Sequence, residues 1–307
     1  MERIILIETS TALCSVALAE DGTIVDYRES SAPKAHASLT AVFIQDMLAE
    51  RGLSPADCDA VCVSMGPGSY TGLRVGVSTA KGICFGARKP LIAVGTLDTL
   101  VAQALDEIAG QAGNDGLAGI ADQAGNDGKD GKDGCTSVVI PGLTGNPRFI
   151  IPMVDARRME VYTAVFGIAV QQGEIATDSA NPRNDKQDTP DVIARNETTH
   201  VIARSEATWQ SPRYIQLTET APMIIDENSF AEYLEQGPCL FIGDGAGKCA
   251  DVIRHPNASF CQCNPKASSM LSPALAAYKE KRFEDVAYFE PFYLKEFVAT
   301  VSKKKLF

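Results

Sequence analysis

The chain has 307 residues, 45% of them apolar and 22% charged, and carries a net charge of −11. That length can bury a large core in one or two domains, and the composition is that of a soluble globular protein. The acidic balance argues against a protein that grips nucleic acid tightly by itself, because phosphate neutralisation by a basic face supplies most non-specific affinity. The start, MERIILIETS, lacks a cationic leader with a long apolar run. No apolar stretch approaches the roughly 20 residues of a membrane-spanning helix, so a cytoplasmic protein with no membrane partner is expected.

In chain order, Ile4–Glu8 and Cys14–Glu20 read as strands, and Asp21-Gly22 is a hairpin turn leading into Thr23–Arg28. Over 37–50, Leu39, Val42, Phe43 and Met47 recur at helical spacing. Asp59–Ser64 is a buried-type strand, Thr71–Phe85 a helix rich in small residues, and Leu91–Val94 another strand. Residues 106–134 hold eight glycines and a duplicated QAGNDG. Residues 171–213 are polar and repeat Val-Ile-Ala-Arg. Neither stretch has the apolar content to offset ordering its backbone, so both are expected to be flexible insertions. The second half restarts with apolar runs at Arg148–Asp155 and Glu160–Phe166 around Ala-Arg-Arg-Met. It continues through Cys239–Ile242, a Gly-Asp-Gly-Ala-Gly turn, a helix near 246–254 and a last helix at Pro273–Lys281.

This order predicts an α/β protein of two ribonuclease-H-like domains in the actin/sugar-kinase (ASKHA) arrangement. The expected division is 1–105, the insertion 106–134, a second domain 135–290 containing the insertion 171–213, and a tail 291–307. The nine cysteines are scattered, with Cys14, Cys62 and Cys84 inside predicted core elements. Cys261 and Cys263 form an isolated CxC, too few ligands for a structural zinc site. The three histidines, His36, His200 and His255, never share a helix turn, so no two-histidine metal site is expected.

The segment Met65–Ile83 concentrates chemistry. Gly66, Gly68 and Gly72 allow sharp turns and close backbone approach, and Ser69 or Thr71 can cap the helix that follows. Arg74 adds a cation one turn in. A Gly-rich loop at a helix start suits an anion or nucleotide phosphate, and it equally suits a purely structural turn. Asp155, Arg157 and Arg158 admit two readings, a site for a charged ligand or a hairpin closed by charge pairs. Gly243, Asp244, Gly245 and Gly247 fit an adenosine-side turn or a plain strand-to-helix connection. Glu8 stands where kinases of this fold carry an acidic residue, but the following hairpin, Thr9–Ser15, has no glycine for phosphates to approach.

GPGSYTGLRVGVSTAKG closely resembles the signature of the TsaB (YeaZ) family. So do LIETS in Ile5–Ser10, the run Ala35–Leu39, VDARRMEVY at Val154–Tyr162 and Pro-Phe-Tyr-Leu at 291–294. The run Ala35–Leu39 has Ser38 where the family often has an acidic residue, and the insertions are the main departure. The resemblance implies a non-catalytic subunit supporting TsaD in N6-threonylcarbamoylation of adenosine 37 of tRNA, with the ATPase TsaE. It implies no cofactor of its own, ATP/ADP and a metal lying on partner subunits, and tRNA reached through the complex. Family dimers form through N-terminal-domain helices, which places His36, Leu39, Val42, Phe43 and Met47 at the partner interface. A homodimer through the same helices is expected when TsaD is absent. The competing reading is a small-molecule phosphotransferase of the acetate- or sugar-kinase type. A peptidase would need a two-histidine metal helix or a Ser/Cys–His set, and the sequence offers neither.

Overall fold

The computed structural model describes residues 2–32, 35–114, 147–168 and 214–294. Two sheets organise them. The first is built from β1 (Arg3–Glu8), β2 (Cys14–Glu20), β3 (Thr23–Ser30), β4 (Ala60–Gly66) and β5 (Leu91–Gly95), ordered β3-β2-β1-β4-β5. β1 to β3 form an antiparallel meander, while β4 lies parallel to β1 and β5 to β4. Between them run α1 (Ala35–Ala49) and α2 (Tyr70–Ala87), with α3 (Thr96–Asn114) following β5.

Side chains alternate across a strand, and both faces of this sheet are apolar because both are covered. Ile5, Ile7, Val61 and Val63 face α1 and α2, packing on Ile44, Met47, Val77 and Ala80. Ile4, Leu6, Ala60 and Cys62 face the opposite way, onto Ala267, Met270, Ala274 and Ala277. Those four belong to a 3-10 turn, Ala267–Met270, and to the last helix α6 (Leu271–Lys279).

The second sheet repeats the pattern. β6 (Phe149–Asp155), β7 (Glu160–Thr163), β10 (Ala221–Ile224), β11 (Cys239–Gly243) and β12 (Ala258–Gln262) are ordered β10-β7-β6-β11-β12. β7 is antiparallel to β6 and β10 to β7, and β11 and β12 continue in parallel. β8 (Phe166–Ile168) and β9 (Tyr214–Gln216) add a short ribbon beside β6. One face packs on α4 (Ala231–Gln236) and α5 (Ala246–Ala250) through Leu234 and Cys249. The other packs on α3, whose Leu97, Leu100, Val101 and Ala104 meet Ile150, Val154, Leu240 and Ile242. The helices are therefore exchanged: α3 leaves the first sheet and covers the second, while α6 leaves the second and covers the first.

Three expectations are corrected. Residues 106–114 are helical rather than part of an insertion, because the apolar stripe of Leu97, Val101 and Leu105 on α3 continues through Ile108 into the second core. The rest of that insertion and all of 171–213 lie outside the described residues. The run Glu160–Phe166 is two strands, broken at Ala164-Val165, and the helix near 246–254 is only five residues long.

After α6 the chain returns to the first sheet. Glu284 N donates to Leu91 O, Phe289 enters the core beneath α2, and Phe292 N donates to Met65 O at 2.7 Å. Lys81 Nζ on α2 donates to Ala287 O and Phe289 O. Among the described residues no helix is long and apolar enough to cross a membrane.

Candidate functional site

The Gly-rich loop after β4 packs against its own chain. Ser69 N donates to Ser10 O at 2.6 Å, and Ser69 Oγ caps α2 by accepting from Gly72 N. Sequence allows Ser69 or Thr71 as the cap, and the geometry selects Ser69. A Cβ on Gly68 would overlap Ser10 O, and one on Gly72 would overlap Thr9 O, each well inside 3.0 Å. Gly66, at φ 106°, faces Phe292 O from the C-terminal return. These glycines thus form a notch filled by the β1–β2 hairpin and the tail, which is the structural reading of the loop. Arg74 donates to Tyr70 Oη at 3.3 Å and stacks over that ring, which in turn packs on Tyr293.

Beneath the notch, Glu8 is fully buried. Its carboxylate accepts from Ser10 N at 2.7 Å. Burial pushes its pKa up to about 7, against the opposing hydrogen bonds from Ser10, Ser64 and Thr9.

The equivalent hairpin of the second half, between β6 and β7, lies open. Arg157 and Arg158 both take left-handed backbone, φ 71° and 55°, which costs an L-residue roughly 1 kcal/mol or more each. The bend is pinned from several sides. Asp155 Oδ1 accepts from Arg157 N, and Ala156 N donates to Glu160 O. Lys248 Nζ, from α5, reaches Asp155 Oδ1, Arg158 O and Glu160 O at 2.5, 2.9 and 2.7 Å. Asp244 Oδ1 accepts from Asp155 N, and burial raises the Asp244 pKa to about 6. Asp155 therefore pairs with Lys248 and not with its neighbouring arginines. Lys248 escapes a sequence reading because nothing local links it to a hairpin about 90 positions earlier. Its only signal is its place directly after Gly-Asp-Gly-Ala-Gly.

That glycine turn is a tight connection. Gly245 N donates to Met153 O, a Cβ on Gly243 would overlap the same oxygen, and Gln262 bridges Gly247 N and Asp244 O.

The third candidate is the outer face of α1 and α2. Val42 is 43% exposed and Phe85 82% exposed, an unusual display for a phenylalanine. Leu39 and Phe43 are half-buried, and Phe43 leans on the core. His36 Nε2 lies 2.9 Å from Thr11 O, tying α1 to the first hairpin. Met47 is a correction: it is fully buried, in the same apolar cluster as Ile5 and Val63, and so cannot face a partner. Phe85 was missed, although it falls one position off the buried stripe Leu73, Val77, Ala80 and Cys84.

Part of the chain is similar to known proteins. A family model described as TsaD, tRNA N6-adenosine threonylcarbamoyltransferase, matches residues 29–113. The tRNA threonylcarbamoyladenosine biosynthesis protein TsaB of Escherichia coli K12 is 41% identical over 102 residues, 33% of this chain and 44% of that protein. TsaB of Bacillus subtilis 168 is 32% identical over 99 residues, 32% of this chain and 43% of that protein. The matched stretch spans less than half the length of these curated relatives. The tRNA N6-adenosine threonylcarbamoyltransferase of Maricaulis maris is 43% identical over 67 residues, 22% of this chain and 18% of that protein. The solved structure of YeaZ from Pseudomonas aeruginosa superposes with a TM-score of 0.62 at 20% identity, covering 96% of this chain and 100% of that one, which shows a shared fold. These likenesses support the TsaB/YeaZ family that the motifs resemble.

Proposed function

We propose that this chain is a non-catalytic assembly subunit of a tRNA threonylcarbamoyladenosine machinery, binding a TsaD-type transferase through the outer face of α1 and α2. The observation that carries the reading is the exposure of Val42 and Phe85 on helices inside residues 29–113, the stretch that matches the TsaD family model. In this reading the two sheets are two ribonuclease-H-like domains of the actin/sugar-kinase type, and the complex works in the cytoplasm. Nucleotide and metal sit on the partner subunits, a TsaE-type ATPase joins them, and tRNA is held by the assembly. When the TsaD-type subunit is absent, the same face pairs two copies of this chain.

The burial of Glu8 weighs against the phosphotransferase alternative. An acidic residue that holds Mg-nucleotide must reach the cleft, whereas Glu8 lies under Thr9 and Ser10, both fully packed against the α2 notch.

The test is co-purification with the TsaD-type subunit, comparing wild type with Val42→Asp and Phe85→Asp. Both side chains are exposed, so each variant should keep its melting temperature while losing the stoichiometric complex. Failure of the wild-type chain to form any complex, with or without TsaE and nucleotide, would sink the proposal.

A further inference from the structure

The VDARRMEVY motif remains unabsorbed by a role at α1 and α2. Its two arginines adopt the backbone conformation that Asn or Gly takes most easily at a tight turn. Nothing in the packing of the bend requires guanidiniums there. The hairpin is already closed by Lys248, by Asp155 and by its own main-chain bonds. Two carboxylates at the bend are committed elsewhere, Asp155 to Lys248 and Arg157 N, and Asp244 to Asp155 N. Among the described residues neither arginine side chain has an ion-pair partner, and both residues are exposed. Two consecutive exposed arginines without ion-pair partners, on a backbone pinned from below, offer their guanidiniums to an anion.

We infer that the Arg157–Arg158 tip is a contact for the phosphate backbone of RNA. It rests on the reading above, in which the chain belongs to a tRNA-modifying assembly. The net charge of −11 argues against a broad basic face, so a contribution to RNA is best confined to a point such as this. Guanidiniums match phosphate oxygens two bonds at a time, and a pinned backbone loses little freedom on binding.

The experiment uses the full chain and a labelled RNA stem-loop, followed by fluorescence anisotropy from low to moderate salt. Wild type binds at the lowest salt and weakens steeply as salt rises. Arg157→Ala/Arg158→Ala lowers affinity about tenfold, and the log–log salt slope falls by roughly 1.4–1.8, the loss of two phosphate contacts. Arg157→Lys/Arg158→Lys restores much of the slope. Arg157→Asn/Arg158→Gly relieves the backbone, so its melting temperature rises while RNA binding is lost; a merely structural role would not separate the two. No wild-type binding at the lowest salt, or an unchanged slope in the alanine pair, would overturn the inference. So would loss of the TsaD-type partner in the alanine pair with RNA binding intact, which would assign the tip to a protein surface. Failure of wild-type co-purification bears on the assembly reading alone.

Discussion

The two sheets share one strand order, yet their first hairpins have opposite fates. Thr9, Ser10 and Thr11 are buried, and the carbonyls of Thr9 and Ser10 sit in a notch made by Gly68 and Gly72. Arg157 and Arg158 stand in solvent on left-handed backbone, held from below by Lys248. One hairpin has been turned into core and the other kept as surface. In a duplicated architecture, the half that packs its hairpin loses any site there, and the half that leaves it open can still meet a ligand.

Filling the notch should break the contrast most severely. Gly72→Ala puts a methyl where Thr9 O stands, and neither backbone can yield cheaply, so a loss of about 3 kcal/mol or more in urea unfolding is expected. Gly82→Ala on the same helix meets nothing within 4 Å and should stabilise by up to about 1 kcal/mol. Equal effects of the two would remove the notch argument.

Glu8 comes next. Its folded pKa lies above the unfolded value, so its contribution is fully present below about pH 4.5 and is lost as pH rises through about 7. The difference amounts to about 3 kcal/mol. Glu8→Gln keeps an acceptor for Ser10 N and should lack that decline. Parallel stability–pH curves for the two proteins would show that burial does not perturb this carboxyl.

The smallest effect concerns the open hairpin. Lys248→Met removes one donor from a carboxylate and two carbonyls, for about 1–2 kcal/mol. Because those groups remain partly hydrated, the clearer readout is trypsin cleavage after Arg157 or Arg158, which should accelerate several-fold. An unaltered cleavage rate would mean that the turn holds itself.

The first half is readable because β1, β2, β4 and β5 are largely apolar runs and its turns carry Asp-Gly and Gly-Pro-Gly. β9, β10 and β12 carry little sequence signal: they are short, and β9 and β10 are largely exposed, so neither alternation nor an apolar run marks them. α3 is not anticipated in the sequence at all, and its last residues fall inside the expected insertion 106–134, because glycine-rich composition masks a stripe that tertiary packing sustains. Met47 was assigned to the wrong face because α1 is apolar over more than one side, so spacing alone leaves its rotation undetermined. What the glycines touch is not legible in sequence, since Thr9 and Gly72 meet only after the sheet forms. Arg157 and Arg158 offer no turn signal, because arginine has no preference for positive φ.

The exchange of α3 and α6 also sets a timetable for synthesis. β1 to β5 are complete once Gly95 has emerged, but the face bearing Ile4, Leu6 and Cys62 waits for Ala267 to Ala277. At about 5–20 residues per second, that is on the order of ten seconds or more in which a nascent sheet carries an uncovered apolar side. A stall anywhere in the intervening sequence would leave a half-protein with an exposed apolar face rather than a finished domain.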